Sequence, residues 1–263
     1  MESSNLLHFV KKLLIKKDKI KEVEFVPWYH DDSYSITKNI EKYLSELPAN
    51  SFIAIERPLT ELKNVLSDIP IDLLKQEFQT FYDTSICAKY NLNKYSEKDK
   101  YFEQRAMYRI AYACKKNNLN LLPLEDSVIF FELQNKLEGL DINNQREERF
   151  LIVENYAPAR NTAMASYIYK YFKDYDQISK LFVITGFAHT KAIISKLYLS
   201  NQKDIFMNCI INYDLIEPKY DRQIIKKCVD LNYKITQTDN KKRKLELDSK
   251  INRLLFWLPK KPM

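Results

Sequence analysis

The chain has 263 residues, 45% of them hydrophobic, and a formal net charge of +7. That is enough apolar material for one sizeable core, and without a run of about 18 apolar residues it excludes a membrane-spanning helix. The lysines are spread along the whole length with no zinc finger, RNP motif or KH loop beside them, so the charge reads as surface solubility rather than nucleic-acid binding.

Residues 1–22 come first as an N-terminal amphipathic helix. Leu6, Phe9, Val10, Leu13 and Leu14 recur at helical spacing, with Lys11, Lys12, Lys16 and Lys17 between them. Such a stripe packs on the protein's own core. Its basic face also fits peripheral membrane contact through residues 1–20. The same lysines break any signal-peptide pattern. Cys87, Cys114, Cys209 and Cys228 are widely spaced and form no CxxC pair, so a cytoplasmic protein with reduced thiols is expected. Secretion as an effector is the alternative.

From residue 23 to 263 the pattern is that of a single α/β domain, because Pro, Gly and Ser never cluster into a linker. Val23 to Val26 reads as a strand that leaves into Pro27-Trp28-Tyr29-His30. Ile36, Ile40, Tyr43, Leu44 and Leu47 follow as a helix capped by Ser33 or Ser35 and stopped by Pro48. Ser51 to Ile55 is a second strand, ending in Glu56-Arg57. A strand-helix-strand unit of this length suits a right-handed parallel crossover. Parallel strands end at one rim, so His30 and Glu56 are expected there together.

The pattern then repeats. A helix over 103–117 leads to a strand over 119–124 that ends in Glu125-Asp126, where Asp126 suits a helix N-cap. A helix from about Ile129 closes at Gly139, one of only two glycines in the chain. After a polar loop over 141–149, Pro158 suits the first turn of a helix that carries Arg160 and Met164. Leu181 to Thr185 is a strand, Gly186 a sharp turn or close approach, and His189 stands before a helix over 191–199. A strand over 205–213 and a helix over 241–258, read as cover for the sheet, complete the chain. His8 carries no role.

Strand ends thus deliver His30, Glu56, Glu125 or Asp126, and His189 to one edge. Two histidines and a carboxylate can hold a divalent metal and leave a position open for water. Glu56 ending an apolar strand demands a partner, either neighbouring Arg57 or another base, or a site role. Arg160 suits either an oxyanion partner or a structural pair with a strand-end carboxylate.

Pro27-Trp28-Tyr29-His30, Ile55-Glu56-Arg57, Arg160-Asn161-Thr162-Ala163-Met164 and Gly186-Phe187-Ala188-His189, in that order across about residues 23–200, resemble the Tiki/TraB group. That group shares a superfamily with ChaN-like haem binders and erythromycin esterases. The resemblance implies an α/β domain with a mixed, mostly parallel central sheet flanked by helices in two related βαβ halves. Residues 201–263 would then add a C-terminal strand and helix. It implies His30, Glu56 and His189 as ligands of zinc or manganese, with Glu56, Arg160 and His189 catalytic, in a metal-dependent hydrolase of peptide or small ester and amide substrates. The esterase branch implies instead a histidine base without a required metal. The ChaN-like branch implies haem, with Tyr29 as a candidate axial group. Pro27 stands where the family has glycine and removes a backbone donor, which leaves a non-catalytic effector or interaction module as the alternative.

Overall fold

A computed structural model describes residues 20–28, 35–67, 95–140, 145–199, 205–215 and 219–256. Its elements in chain order are β1 (Ile20–Trp28), α1 (Ser35–Glu46), β2 (Phe52–Pro58), α2 (Leu59–Ser67), α3 (Tyr95–Lys116), β3 (Asn120–Glu125), α4 (Ser127–Leu137), α5 (Arg146–Asp174), β4 (Lys180–Gly186), α6 (Phe187–Leu199), β5 (Phe206–Ile211), α7 (Lys219–Thr236) and α8 (Lys241–Phe256). The five strands form one sheet in the order β3-β2-β4-β1-β5. Every pairing in it is parallel, so the expected α/β architecture holds without any antiparallel component.

Strand alternation assigns the two faces. Val26, Trp28, Ile53, Ile55, Phe182 and Ile184 pack with Ile40 and Leu44 of α1, Met107 and Ile110 of α3, and Ile225 and Val229 of α7. Val23, Phe25, Ala54, Leu124, Leu181 and Val183 face the other way, onto Met164, Ile168 and Phe172 of α5 and Ile193 and Leu197 of α6. Strands buried on both sides are what near-continuous apolar runs require.

The two βαβ units interleave. From β1 the chain crosses over α1 to β2, with β4 lying between those strands. From β4 it crosses over α6 to β5, with β1 lying between them. The crossovers run in opposite directions on opposite faces, which gives both the same hand. Neighbouring β1 and β4 therefore send their connections to opposite sides, and the carboxyl edge between them is the topological switch point, where ligands bind in open α/β sheets.

Several sequence expectations are corrected. Strand β1 starts at Ile20, inside the stretch read as an N-terminal helix over 1–22, and residues 1–19 lie outside the described residues. It also continues through Pro27, opposite Thr185. The backbone of Phe25 faces β5, where its carbonyl accepts from the Asn212 amide at 2.8 Å. Pro27, two residues on, faces the same side, but the β1–β5 register has already ended at Phe25. The missing N–H therefore costs no ladder bond.

Pro158 lies inside α5 rather than in its first turn. The helix begins at Arg146, and the proline removes one bond from its interior. Helix α8 packs through Leu247 and Ile251 on Cys228 and Ile235 of α7, so its cover is for that helix more than for the sheet. Asp126 and Gly139 do as the sequence suggests. Asp126 accepts from the Val128 and Ile129 amides at 2.9 and 3.1 Å, and Gly139 follows α4 with φ +83°.

Cys114, Cys209 and Cys228 are free thiols, and burial pushes that of Cys114 up to about 12. Cys87 lies outside the described residues. No helix among the described residues is long and apolar enough to cross a membrane.

One polar network ties the sheet to its helices. The buried Glu24 carboxylate accepts from the Tyr43 hydroxyl at 2.8 Å, the Asn212 amide at 2.6 Å and the Lys180 ammonium at 2.6 Å. Burial alone would raise the Glu24 pKa, but the bonds from Lys180, Asn212 and Tyr43 outweigh it and hold the group below its ordinary value. A depressed carboxylate stabilises the fold above its unfolded pKa, and that stability is lost as the pH falls through the folded one. Glu24→Gln is expected to lower stability by about 1–2 kcal/mol at neutral pH. It should also flatten the acid limb of a urea-unfolding series, so that wild type and variant converge in acid.

Candidate functional site

The carboxyl edge of the sheet carries a buried polar cluster supplied by β2, β3, β4, α5 and α6. Glu56 is the centre of it. Its Oε1 accepts from Arg160 Nη2 at 2.8 Å and stands 3.5 Å from His189 Nε2. Its Oε2 accepts from the Thr185 hydroxyl at 2.9 Å and from the Gly186 N–H at 2.5 Å. Gly186 ends β4, and α6 begins at the next residue with no loop between, so Glu56 also sits at the positive end of a helix dipole. Three donors, from Arg160, Thr185 and Gly186, therefore stabilise a carboxylate that a bare apolar strand end could not carry.

Arg160 projects from α5 between two strand ends. Its Nε donates to Glu125 Oε1 at 2.6 Å, and Nη2 reaches both Glu125 and Glu56. The side chains of Arg160, Glu56 and Glu125 are 10%, 3% and 2% exposed. Burial would by itself pull the guanidinium pKa down, but the charges of Glu125 and Glu56 more than offset it, and Arg160 stays charged. Among the described residues nothing takes the N–H groups of its third nitrogen, Nη1.

His189 lies in the first turn of α6, with Nδ1 2.7 Å from Asn161 Oδ1. An amide oxygen at that position makes Nδ1 the N–H nitrogen and presents Nε2 toward Glu56. Asn161 is the residue after Arg160, so one stretch of α5 orients both the guanidinium and the imidazole.

The structure thus brings together four of the residues read from sequence, Glu56, Arg160, His189 and, of the pair Glu125 or Asp126, Glu125. His30 and Tyr29 lie outside the described residues. Asp126 is occupied in capping α4. The Glu56 carboxylate pairs with Arg160 rather than with neighbouring Arg57. Arg57 instead approaches Glu61 at 3.5 Å and donates to the Glu56 carbonyl at 2.9 Å. Gly186 contributes its N–H at the end of a strand, without the left-handed backbone that only Gly139 of the two glycines shows.

Asn161 and Thr185 were missed by the sequence reading. A polar residue closing an apolar strand, as Thr185 does, and one beside a buried arginine, as Asn161 is, were the available signals.

Of the three expected metal ligands, Glu56 and His189 are among the described residues and His30 lies outside them. No group of three His, Cys, Asp or Glu side chains among the described residues is set to hold a metal ion. Glu56 already accepts from Arg160 on one oxygen and from Thr185 and the Gly186 amide on the other, and the guanidinium lies between the two carboxylates. Compared with family models, with curated proteins and with solved structures, the chain matches none of them.

Proposed function

We propose that the protein is a hydrolase of ester or amide bonds in peptides or small molecules, with His189 as the general base. The observation that carries this reading is the orientation of His189 between Asn161 and Glu56, next to a guanidinium with an unspent edge, at the switch point of a parallel sheet. Nε2 takes a proton from water as the water attacks the carbonyl carbon. The imidazolium so formed stands 3.5 Å from the Glu56 carboxylate, which balances its charge. Arg160 Nη1 offers two N–H groups to the oxyanion of the tetrahedral intermediate. The proton then passes from Nε2 to the leaving oxygen or nitrogen as the C–O or C–N bond breaks.

The test is hydrolysis of a panel of chromogenic esters and peptide amides by untagged protein. His189→Ala is expected to lose about 100- to 10,000-fold in kcat/KM, the usual worth of a positioned base, while its circular dichroism stays that of wild type. Chelators should leave turnover unchanged. Turnover by His189→Ala equal to wild type, or none by wild type on any substrate, would sink the reading. Stoichiometric metal that is lost in His30→Ala would replace it with the metal-dependent form, and a His189-dependent Soret band on haem titration with a ligand carrier.

A further inference from the structure

Glu125 and Glu56 share one guanidinium, yet their surroundings are unequal. Glu56 has donors on both oxygens. Glu125 has one hydrogen-bonding partner, Arg160, on Oε1, and its Oε2 is buried with no partner among the described residues. Two ionised carboxylates and one guanidinium would leave the buried trio with a net negative charge, concentrated on an oxygen that nothing solvates. An unsatisfied charged oxygen in such a place is among the costliest arrangements in a fold. A proton on Oε2 removes the excess charge and leaves the bond from Arg160 to Oε1 intact. Pairs of titratable groups pushed apart in this way are how one carboxyl is kept as an acid beside another kept as an anion.

The charged groups bearing on Glu125 are Arg160 from α5 and Glu56 and Arg57 from β2, while Asp126 beside it is turned to its helix cap. Burial foremost, and then the charge of Glu56, raise the Glu125 carboxyl above its ordinary value against the opposing pull of Arg160 and Arg57.

We propose that Glu125 is a positioning residue that keeps its proton at neutral pH, so that Arg160 has a single ionic partner and its Nη1 edge stays available to an anionic oxygen. In this state the trio is neutral overall. Ionisation of Glu125 at higher pH would commit the guanidinium to two anions and weaken its hold on a third. That effect on turnover rests on the hydrolase reading above, whereas the protonation state does not.

The proton is read directly by infrared difference spectroscopy of substrate-free protein at neutral pH. The carbonyl stretch of a protonated carboxylic acid is expected in wild type, absent from Glu125→Gln and retained in Glu154→Gln, the control for the other buried carboxyl among the described residues whose pKa is raised. Glu125→Gln, a neutral mimic that can still accept from Arg160, should unfold at the same urea concentration as wild type. It should also lack the alkaline fall in kcat/KM expected of wild type. No difference between wild type and Glu125→Gln in the carboxylic-acid band would overturn the proposal, whatever the activity. If the band behaves as expected and no hydrolysis is found, the proton assignment stands and the hydrolase reading falls.

Discussion

Replacing Arg160 by methionine is expected to destabilise the protein by about 3–5 kcal/mol, the cost of breaking a buried ion pair by removing one partner. The guanidinium is the only cation that hydrogen-bonds both Glu56 and Glu125 among the described residues, and methionine would leave two carboxyl groups side by side with water excluded. Lysine should recover only part of the loss. Its ammonium is a single point charge and cannot reproduce the planar fork that spans two strand ends. Chemical denaturation at a series of pH values checks the cause. The deficit of Arg160→Met should shrink in acid, where protonation of Glu56 removes the buried charge left without its cation, and a deficit that stays constant with pH would point to lost packing instead.

Glu56→Gln is nearly isosteric with wild type and should still be damaging. The carboxylate receives donors on both oxygens, from Arg160 on one side and from Thr185 and Gly186 on the other. An amide has one accepting end. Whichever way it is turned, its NH₂ group faces a donor, and an unmet buried donor costs about 1–3 kcal/mol before the lost charge is counted. The charge matters separately, because the imidazolium formed at His189 would lose its counter-ion. Turnover is therefore expected to drop well beyond what the stability loss explains. Glu56→Gln with unchanged kcat would show that the carboxylate is purely structural. Exchange of the Gly186 amide, observed by NMR, should accelerate in the variant, since that N–H donates to Glu56 in wild type.

The rim residues were legible because a strand buried on both faces is an apolar run, and a carboxylate at its end is conspicuous. Glu56, Glu125 and His189 could be placed at one edge on that ground alone. Arg160 was legible as a pair for a strand-end carboxylate, but which carboxylate it meets, and the part of Thr185, were not. Arg160 reaches Glu56 across 104 positions of sequence, and Thr185 across 129, and no local periodicity encodes such distances. The preference of proline for first turns misplaced the start of α5, because the helix around Pro158 is held by its packing on the sheet rather than by its local propensity. Helix α7 was overlooked although Ile225, Cys228, Val229 and Ile235 mark its buried stripe. Strand order was beyond the sequence altogether, since nothing local announces that β4 comes to lie between β1 and β2.

That insertion sets the timetable on which the chain can assemble as it leaves the ribosome. When β1, β2 and β3 have been made, the middle of the sheet does not yet exist, and the facing edges of β1 and β2 remain open until residues 180–186 emerge. Slow non-local pairing of this kind exposes apolar edges. The last central strand to arrive ends in Thr185 and Gly186 and is followed three residues later by His189, so one late event joins β1 to β2 and completes the surroundings of Glu56. A nascent chain stopped before Lys180 would hold Glu56, Glu125 and Arg160 without the sheet centre needed to bring them together. The polar cluster is in that sense a marker that the centre of the sheet is in place.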